Sequence, residues 1–307
     1  MSIPVGSALP TGALPEEPVG PPGPADAAGP AGSTKRRLPR LGVGGWISVA
    51  IIAFAVLLAI FGPLVRPYDP NEVRLSYANV GPTGGHLLGF DGAGRDLLSR
   101  LMVGARTTLL GAALVSVVAV TVGSSLAVLT AWFGGRFDTA VSSGLDVMFA
   151  FPGILLAVLA AAVFGPGLLA AGLALAMAYS PYLARVLRGA ALKERAMAYI
   201  QAGEVQGFSS WWLCLRHLLP NISSLIVAQG TIFFGFAVVD LAALSFLGLG
   251  IQPPQADWGV MVSEGKTPLL QGYPLEAIAA VVCIVLVVSA VSFLGESLQE
   301  RSAGGRR

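Results

Sequence analysis

The sequence predicts an all-α integral membrane protein with six transmembrane helices and both termini in the cytoplasm. Three observations predict it. The 307 residues are 54% hydrophobic and 12% charged, about half the charge of an ordinary globular chain. The apolar residues fall in runs of roughly 20, the length that crosses about 30 Å of hydrocarbon as a helix. The basic residues are also unevenly shared between alternate connecting segments, which sets the orientation.

Residues 1–34 are rich in Pro, Gly and Ala and hold little large apolar content. Such a composition cannot offset the entropy of ordering, so 1–40 is expected to be a disordered cytoplasmic tail. It ends in a basic flank, Lys35, Arg36, Arg37 and Arg40. The run that follows is too long for a signal-peptide core, and no small-residue cleavage site follows Ile60. A retained first span is therefore expected at 46–65. Further spans are expected at 107–133, 141–164, 168–187, 222–247 and 275–294. Gly134-Gly135 and Gly165-Pro166-Gly167 separate three of them. The expected organisation is thus the tail, a first span with external loop (41–106), a five-helix core (107–300) and a cytoplasmic tail (301–307). With the N-terminus inside, 13 of the 19 Lys and Arg residues fall on the cytoplasmic side, in keeping with the positive-inside rule.

In the first outer loop, 95–106 has helical spacing, with Leu97, Leu98, Leu101 and Met102 on one face. A short helix lying along the outer membrane surface is expected there. In the second outer loop Pro253-Pro254 stops a helix, and Trp258 suits the membrane–water interface.

Between the fourth and fifth spans lies YIQAGEVQGFSSWWLCLRHLLPN, residues 199–221, on the cytoplasmic side. A helix from about Met197 would draw its apolar surface from Ile200, Val205, Phe208, Trp211, Trp212 and Leu215. Gln201, Glu204, Ser209 and Arg216 are its polar positions. Ala202, Gly203 and Gly207 are small enough to let another backbone approach. Gly207 also costs about 1 kcal/mol against Ala in a helix and marks a break between two short helices. Pro220 fits the first turn of the following helix. Two readings stand: docking onto a partner protein, or an amphipathic helix on the inner leaflet. The division favoured is docking by Tyr199 to Phe208 and anchoring by Trp211 to Leu219.

Other classes find little support. The net charge of +2 implies no nucleic-acid partner. Cys214 and Cys283 offer no metal spacing or disulfide framework, and His86 and His217 form no ligand cluster. No phosphate-binding GxxxxGK[ST] loop is present, and no span carries a cluster suited to catalysis. Two acids fall within expected spans, Asp146 and Asp240. Charge inside a bilayer costs about 2.5–3.5 kcal/mol on insertion scales. For Asp146, a polar pathway and solvation at the cytoplasmic end stand as equal readings. Asp240 is deeper and is assigned to the interior of an interface between subunits. Arg185 and Arg188 are expected to snorkel to the inner headgroups. The small residues of the third and fourth spans are read as packing surfaces, which leaves the second, third and fifth spans for a pathway.

Several ordered stretches resemble one family. They are His86-Leu87-Leu88-Gly89, Asp91, Gly94-Arg95-Asp96-Leu97-Leu98-Ser99-Arg100 and Gly104-Ala105-Arg106. Phe133-Gly134-Gly135, Asp138, Asp146, Phe151-Pro152 and Gly165-Pro166-Gly167 follow. Last come Ala202-Gly203 with Gly207, Arg216 to Asn221, Leu244 to Gly250, Gln252-Pro253-Pro254 and Trp258-Gly259. Together they resemble the inner-membrane permeases of the dipeptide, oligopeptide and nickel group of ABC importers, and more narrowly the second of the two permeases such systems carry. The resemblance implies that Tyr199, Gln201, Ala202, Gly203, Glu204, Gly207, Phe208, Ser209 and Pro220 belong to a cytoplasmic coupling helix, the EAA loop, which meets an ATPase. It places Asp91, Arg95, Asp96, Arg100 and Trp258 on the external side, facing a solute-binding protein or the gate. It implies a homologous second permease, one or two ATPases that bind the ATP and Mg, an extracellular or periplasmic binding protein, surrounding lipid, and the cytoplasmic membrane of a prokaryote. This chain would itself do no bond chemistry and hold no cofactor.

The sequence departs from the family pattern in places. Ala198 stands where an acid usually precedes the aromatic, Gln201 replaces the leading Glu, Gly203 replaces the second Ala, and Glu204 replaces an arginine. A docking surface kept in shape but recoded in charge points to a dedicated ATPase. Leu241 replaces a membrane acid, with Asp240 one position earlier, about 100° around a helix. Peptide import is the reading adopted, with nickel or another small solute as the alternative. A stand-alone secondary transporter would show inverted repeats and broken helices at mid-membrane, and the sequence displays neither.

Overall fold

Apolar sequence runs become helices here because a bilayer offers backbone groups no other partner. The computed structural model describes residues 43–304; the tail expected at 1–40 lies outside them, as do 305–307 of the tail expected at 301–307, whose first four residues continue the last helix. Among the described residues every named element is helical. They are α1 (Val43–Val65), α2 (Leu97–Phe133), α3 (Gly135–Phe149), α4 (Gly153–Phe164) and α5 (Leu168–Arg195). Then come α6 (Ala198–Val205), α7 (Ser210–Leu213), α8 (Leu219–Phe246), α9 (Trp258–Glu264), α10 (Lys266–Leu270) and α11 (Leu275–Gly304). Five stretches are long and apolar enough to cross a membrane, and a sixth span exists if α3 and α4 count as one.

That sixth span differs from expectation. Residues 141–164 do not form one rod: α3 and α4 meet at 82°. Pro152 has no N–H to continue a helix, and the residue before a proline is pushed out of the helical region. The 12 residues of α4 reach only about 18 Å, short of the hydrocarbon thickness.

The outer-surface helix expected at 95–106 is likewise absent as a separate piece. Its residues are the first turns of α2, which runs unbroken for 37 residues through the boundary expected at 106. Asp96 caps it, accepting from Ser99 N at 2.8 Å, so the helix starts before the apolar run does. Sequence hydropathy sees the lipid boundary, whereas the cap sets the backbone boundary.

The core is built on small residues. Ala105, Ala112 and Ala119 lie seven apart on α2 and are fully buried against Leu175, Ala176 and Leu183 of α5 and Ala237 and Val238 of α8. At Gly123 a Cβ would stand 2.6 Å from Leu183 Cβ, so only glycine permits this approach of α2 to α5. In lipid, where apolar burial gives little driving force between helices, such close contact supplies the packing energy. Of the small residues expected to form packing surface, Ala157, Ala161, Ala171, Gly172 and Ala176 are buried, Ala160, Ala170 and Ala174 are half-buried, and Ala162 is exposed.

Candidate functional site

Between α5 and α8 the chain makes an elbow whose turns follow from its sequence. Helix α6 ends at Gln206, and Gly207 takes φ +81°. Phe208 N donates to Gly203 O at 3.1 Å and Gly207 N to Glu204 O at 3.0 Å. This pair of bonds is a Schellman ending, which needs a left-handed residue at that position. Ser209 then caps α7 by accepting from Trp212 N. A π-helical turn, Cys214–Leu218, joins α7 to α8. Pro220 has no N–H for the Arg216 carbonyl, and the widened turn absorbs the missing bond. The expected break at Gly207 is present. Pro220 does open α8, but within a helical path continuous from Ser210.

One face of the elbow is buried in a second core. Ile200, Leu213, Leu218 and Ile222 pack with Ala131, Trp132, Ala190 and Ala191. Gly203 belongs to this inner face: a Cβ there would meet Leu213 Cδ2 at 2.7 Å. Its small size serves internal packing, which corrects the expectation that it opens the outer surface to another backbone. Gln201, Ala202, Glu204, Val205, Gly207, Phe208 and Ser209 form the exposed face, with Val205 89% exposed.

The elbow is fastened to three helices. Tyr199 donates its hydroxyl to Glu194 Oε1. Asn221 Nδ2 donates to the same Glu194 oxygen at 2.9 Å and to the Tyr199 hydroxyl at 2.6 Å. Glu194 at the end of α5, Tyr199 on α6 and Asn221 on α8 thus share one polar knot. Rings of Phe208, Trp212, His217 and Tyr199 follow one another at 4.7, 5.0 and 5.8 Å. Arg195 donates to the carbonyls of Ala131 and Trp132, groups left without helical partners at the end of α2, and its guanidinium lies over the Trp132 ring. Glu194 was missed by sequence reasoning. Lys193 and Arg195 flank it in sequence and make it look like surface charge; its one signal was that Ala190 and Ala191 lie four and three residues before it, on the same helix face. Glu194→Ala removes the buried acceptor shared by Tyr199 and Asn221, a loss of about 1.5–3 kcal/mol for hydrogen bonds to a charged group. The expected result is a lower unfolding midpoint and faster tryptic cleavage at Arg195 and Arg216 in the purified protein.

At the far end of α2 the residues expected on the external side do converge, but as a buried cluster. Asp91 is fully buried. Its Oδ1 accepts from Ala93 N and Arg95 N, both at 2.9 Å, and its Oδ2 from Arg95 Nε at 2.6 Å. Arg95 and Arg100 both reach Glu264 Oε2, at 2.8 and 2.6 Å. Nε of Arg100 lies 3.2 Å from Asp91 Oδ2 at an angle too poor for a hydrogen bond. Glu276 adds a third carboxyl, accepting from Gly92 N at 3.3 Å. Asp91, Glu264 and Glu276 approach within 4.8 Å, with the two guanidiniums as counter-charge. Burial works against the Arg95 charge, but Asp91 and Glu264 outweigh it and hold the guanidinium above its ordinary range. Asp96 Oδ1 meets His86 Nδ1 at 2.8 Å, and His86 stacks on Tyr68 at 4.0 Å.

Trp258 is corrected from an interfacial anchor to a core residue. It is 1% exposed, donating Nε1 to Leu101 O at 3.1 Å. The residue before it, Asp257, caps α9 by accepting from Gly259 N and Val260 N and takes the Thr108 hydroxyl at 2.5 Å. Burial pushes the Asp257 carboxyl up, while the bonds from Thr108, Val260 and Gly259 pull the other way. In this arrangement Asp91, Arg95, Asp96, Arg100 and Trp258 tie the 66–96 and 247–274 segments to α2, and none of the five is exposed.

Arg185 and Arg188, expected to reach the inner headgroups, each meet an acid of α3. Arg185 pairs with Asp146 and covers the Phe149 ring, and Arg188 Nε donates to Asp138 Oδ1 at 2.7 Å. Both pairs join α5 to α3. Asp146 is well exposed in its pair, so burial cost is not its constraint. Asp240, on α8, accepts from the Tyr179 hydroxyl of α5 at 2.5 Å.

Comparison with known proteins follows this geometry. Residues 101–304 match the family described as binding-protein-dependent transport system inner membrane component. Residues 44–82 match the N-terminal TM domain of oligopeptide transport permease C. The chain is 34% identical to the probable D,D-dipeptide transport system permease protein DdpC of Escherichia coli K12, over 85% of this chain and 88% of that one. It is 35% identical to the glutathione transport system permease protein GsiD of Pectobacterium atrosepticum, over 83% and 85%. It is 34% identical to the dipeptide transport system permease protein DppC of Alkalihalophilus pseudofirmus, over 83% of each. In fold it is similar to a chain of the inward-facing MetNI methionine ABC transporter, with TM-score 0.53 and 22% identity over 66% of this chain and 96% of that one. The chain therefore belongs to the binding-protein-dependent transport system inner membrane components, as a multi-pass permease of the cytoplasmic membrane.

Proposed function

We propose that this permease forms half of the path by which an ABC importer carries short peptides, with both its termini in the cytoplasm. The relatives carry dipeptide, D,D-dipeptide and glutathione in their names, and all three contain peptide linkages. A homologous second permease would complete the path, one or two ATPases would bind ATP and Mg, and a solute-binding protein would deliver the cargo. The chain's own residues bind no nucleotide and break no bond in this reading; they transmit motion and line a passage.

The observation that carries the mechanism is the elbow. It exposes Gln201, Ala202, Glu204, Val205 and Phe208 while Glu194, Tyr199, Asn221 and Arg195 fasten it to α2, α5 and α8. A force applied to the exposed face cannot be lost in a loose loop. It moves α6 as part of the helical body, so closure of the ATPases would rock these helices and exchange inner for outer access.

Val205→Cys tests the docking. In inverted vesicles carrying the assembled importer, this thiol is expected to cross-link to an ATPase subunit, and the yield should change when ATP is bound. Peptide uptake by right-side-out proteoliposomes, with ATP inside and binding protein outside, should require ATP hydrolysis and ignore an imposed ion gradient. A Val205→Cys chain that links to no nucleotide-hydrolysing subunit would remove the coupling role of the elbow.

A further inference from the structure

Helices α5, α8 and α11 enclose a cavity of about 460 Å³ walled by Tyr179, Tyr182, Gln229, Phe233, Phe236 and Gln299. That volume lies in the range of small-molecule sites. Its polar side chains are out of place against lipid tails, and polar groups at membrane depth face water or cargo. Tyr182 and Phe236 are about half exposed, as expected of residues bordering an open passage.

Two features of the wall favour a cation. The Tyr179 hydroxyl donates its proton to Asp240 Oδ2, which leaves the hydroxyl oxygen as an acceptor polarised by the carboxylate behind it. Around it the rings of Tyr179, Tyr182 and Phe236 each lie within 5.1–5.7 Å of Phe233, and ring faces attract ammonium groups. Among the described residues no basic side chain pairs with Asp240. Arg185, the nearest guanidinium along α5, is held by Asp146.

We propose that Tyr179 and Asp240 form a transit site for the N-terminal ammonium of a peptide, with Tyr182, Phe233 and Phe236 as its aromatic walls. The proposal rests on the reading of this chain as a peptide permease. The ammonium would donate to the Tyr179 oxygen, with Asp240 supplying the opposing charge. Occupancy is brief by design, because a single carboxylate one hydroxyl away attracts without holding as a direct ion pair would.

The test uses the assembled, reconstituted importer with Cys214→Ser, Cys283→Ser and Tyr182→Cys in this chain. The thiol at 182 is expected to react with 2-aminoethyl methanethiosulfonate faster than with its neutral hydroxyethyl analogue by about fivefold, the size of one partly screened charge. Asp240→Asn should erase that preference. Leucylglycine should slow labelling more than N-acetyl-leucylglycine, and Tyr179→Phe should weaken this protection while keeping the charge preference. Equal labelling by both reagents, or equal protection by both peptides, overturns the ammonium site and leaves the permease reading standing. A thiol at 182 that no reagent reaches overturns the placement of this cavity on the path, and the site with it.

Discussion

Gly207→Val is expected to abolish ATP-driven uptake while the chain still inserts and assembles. Gly207 sits at φ +81°, a region that costs an ordinary residue roughly 1–2 kcal/mol and a β-branched one more. A Cβ at this position meets nothing within 4 Å, so the fault would be backbone strain and not collision. Relief of the strain means unwinding the Schellman ending, which swings Phe208 and Ser209 away from α6. The spans are untouched, so membrane levels should match the parent. Gly207→Asn separates the two causes, since asparagine tolerates the left-handed region, and it should keep most of the uptake. Uptake by the valine variant equal to the parent would show that the turn carries no force.

Arg100→Leu is expected to prevent the protein from accumulating at all. Arg100 is fully buried and stands against both Asp91 and Glu264. Its removal leaves Arg95 to balance three carboxyls in a site where only Glu264 keeps partial contact with water. Breaking a buried pair from one side costs about 3–5 kcal/mol, a large fraction of ordinary stability. Arg100→Lys keeps the charge but cannot serve Glu264, Pro70 O and Pro254 O together, so an intermediate level in membranes is expected. Immunodetection of the full chain in membranes, against Arg106→Leu as control, measures both.

The sequence made the spans legible because hydropathy reports contact with lipid directly, and five of the six stand where the runs place them. The third failed at Phe151-Pro152: a window over 141–164 counts apolar residues and is blind to the 82° turn. The break at Gly207 was legible because one residue type is needed for one backbone conformation. The residues expected on the external side were legible as a group but not as a buried cluster. Asp91, Arg95, Asp96 and Arg100 look like surface charge, since charge in a loop usually meets water. The burial of Asp91, Arg95 and Arg100 depends on Glu264 and Glu276, which lie over 160 residues away in the chain and which no local pattern announces; Asp96 is covered by His86, ten residues before it. Trp258 was misread for the same reason: its partner is the Leu101 carbonyl. The recoded EAA positions are still unexplained by shape, because Gln201 and Glu204 point outward and their meaning lies in the surface they meet.

The unbroken α2 is anchored at both ends. Asp96 and the buried charges hold one tip, and Arg195 holds the carbonyls at the other. Its 37 residues make a beam roughly 55 Å long. Clamped at both tips, such a beam behaves as a lever arm: a tilt of about five degrees about one tip sweeps the other through roughly 5 Å at that length. No relay of rearranging side chains is then required to carry a stroke from one face of the bilayer to the opposite one.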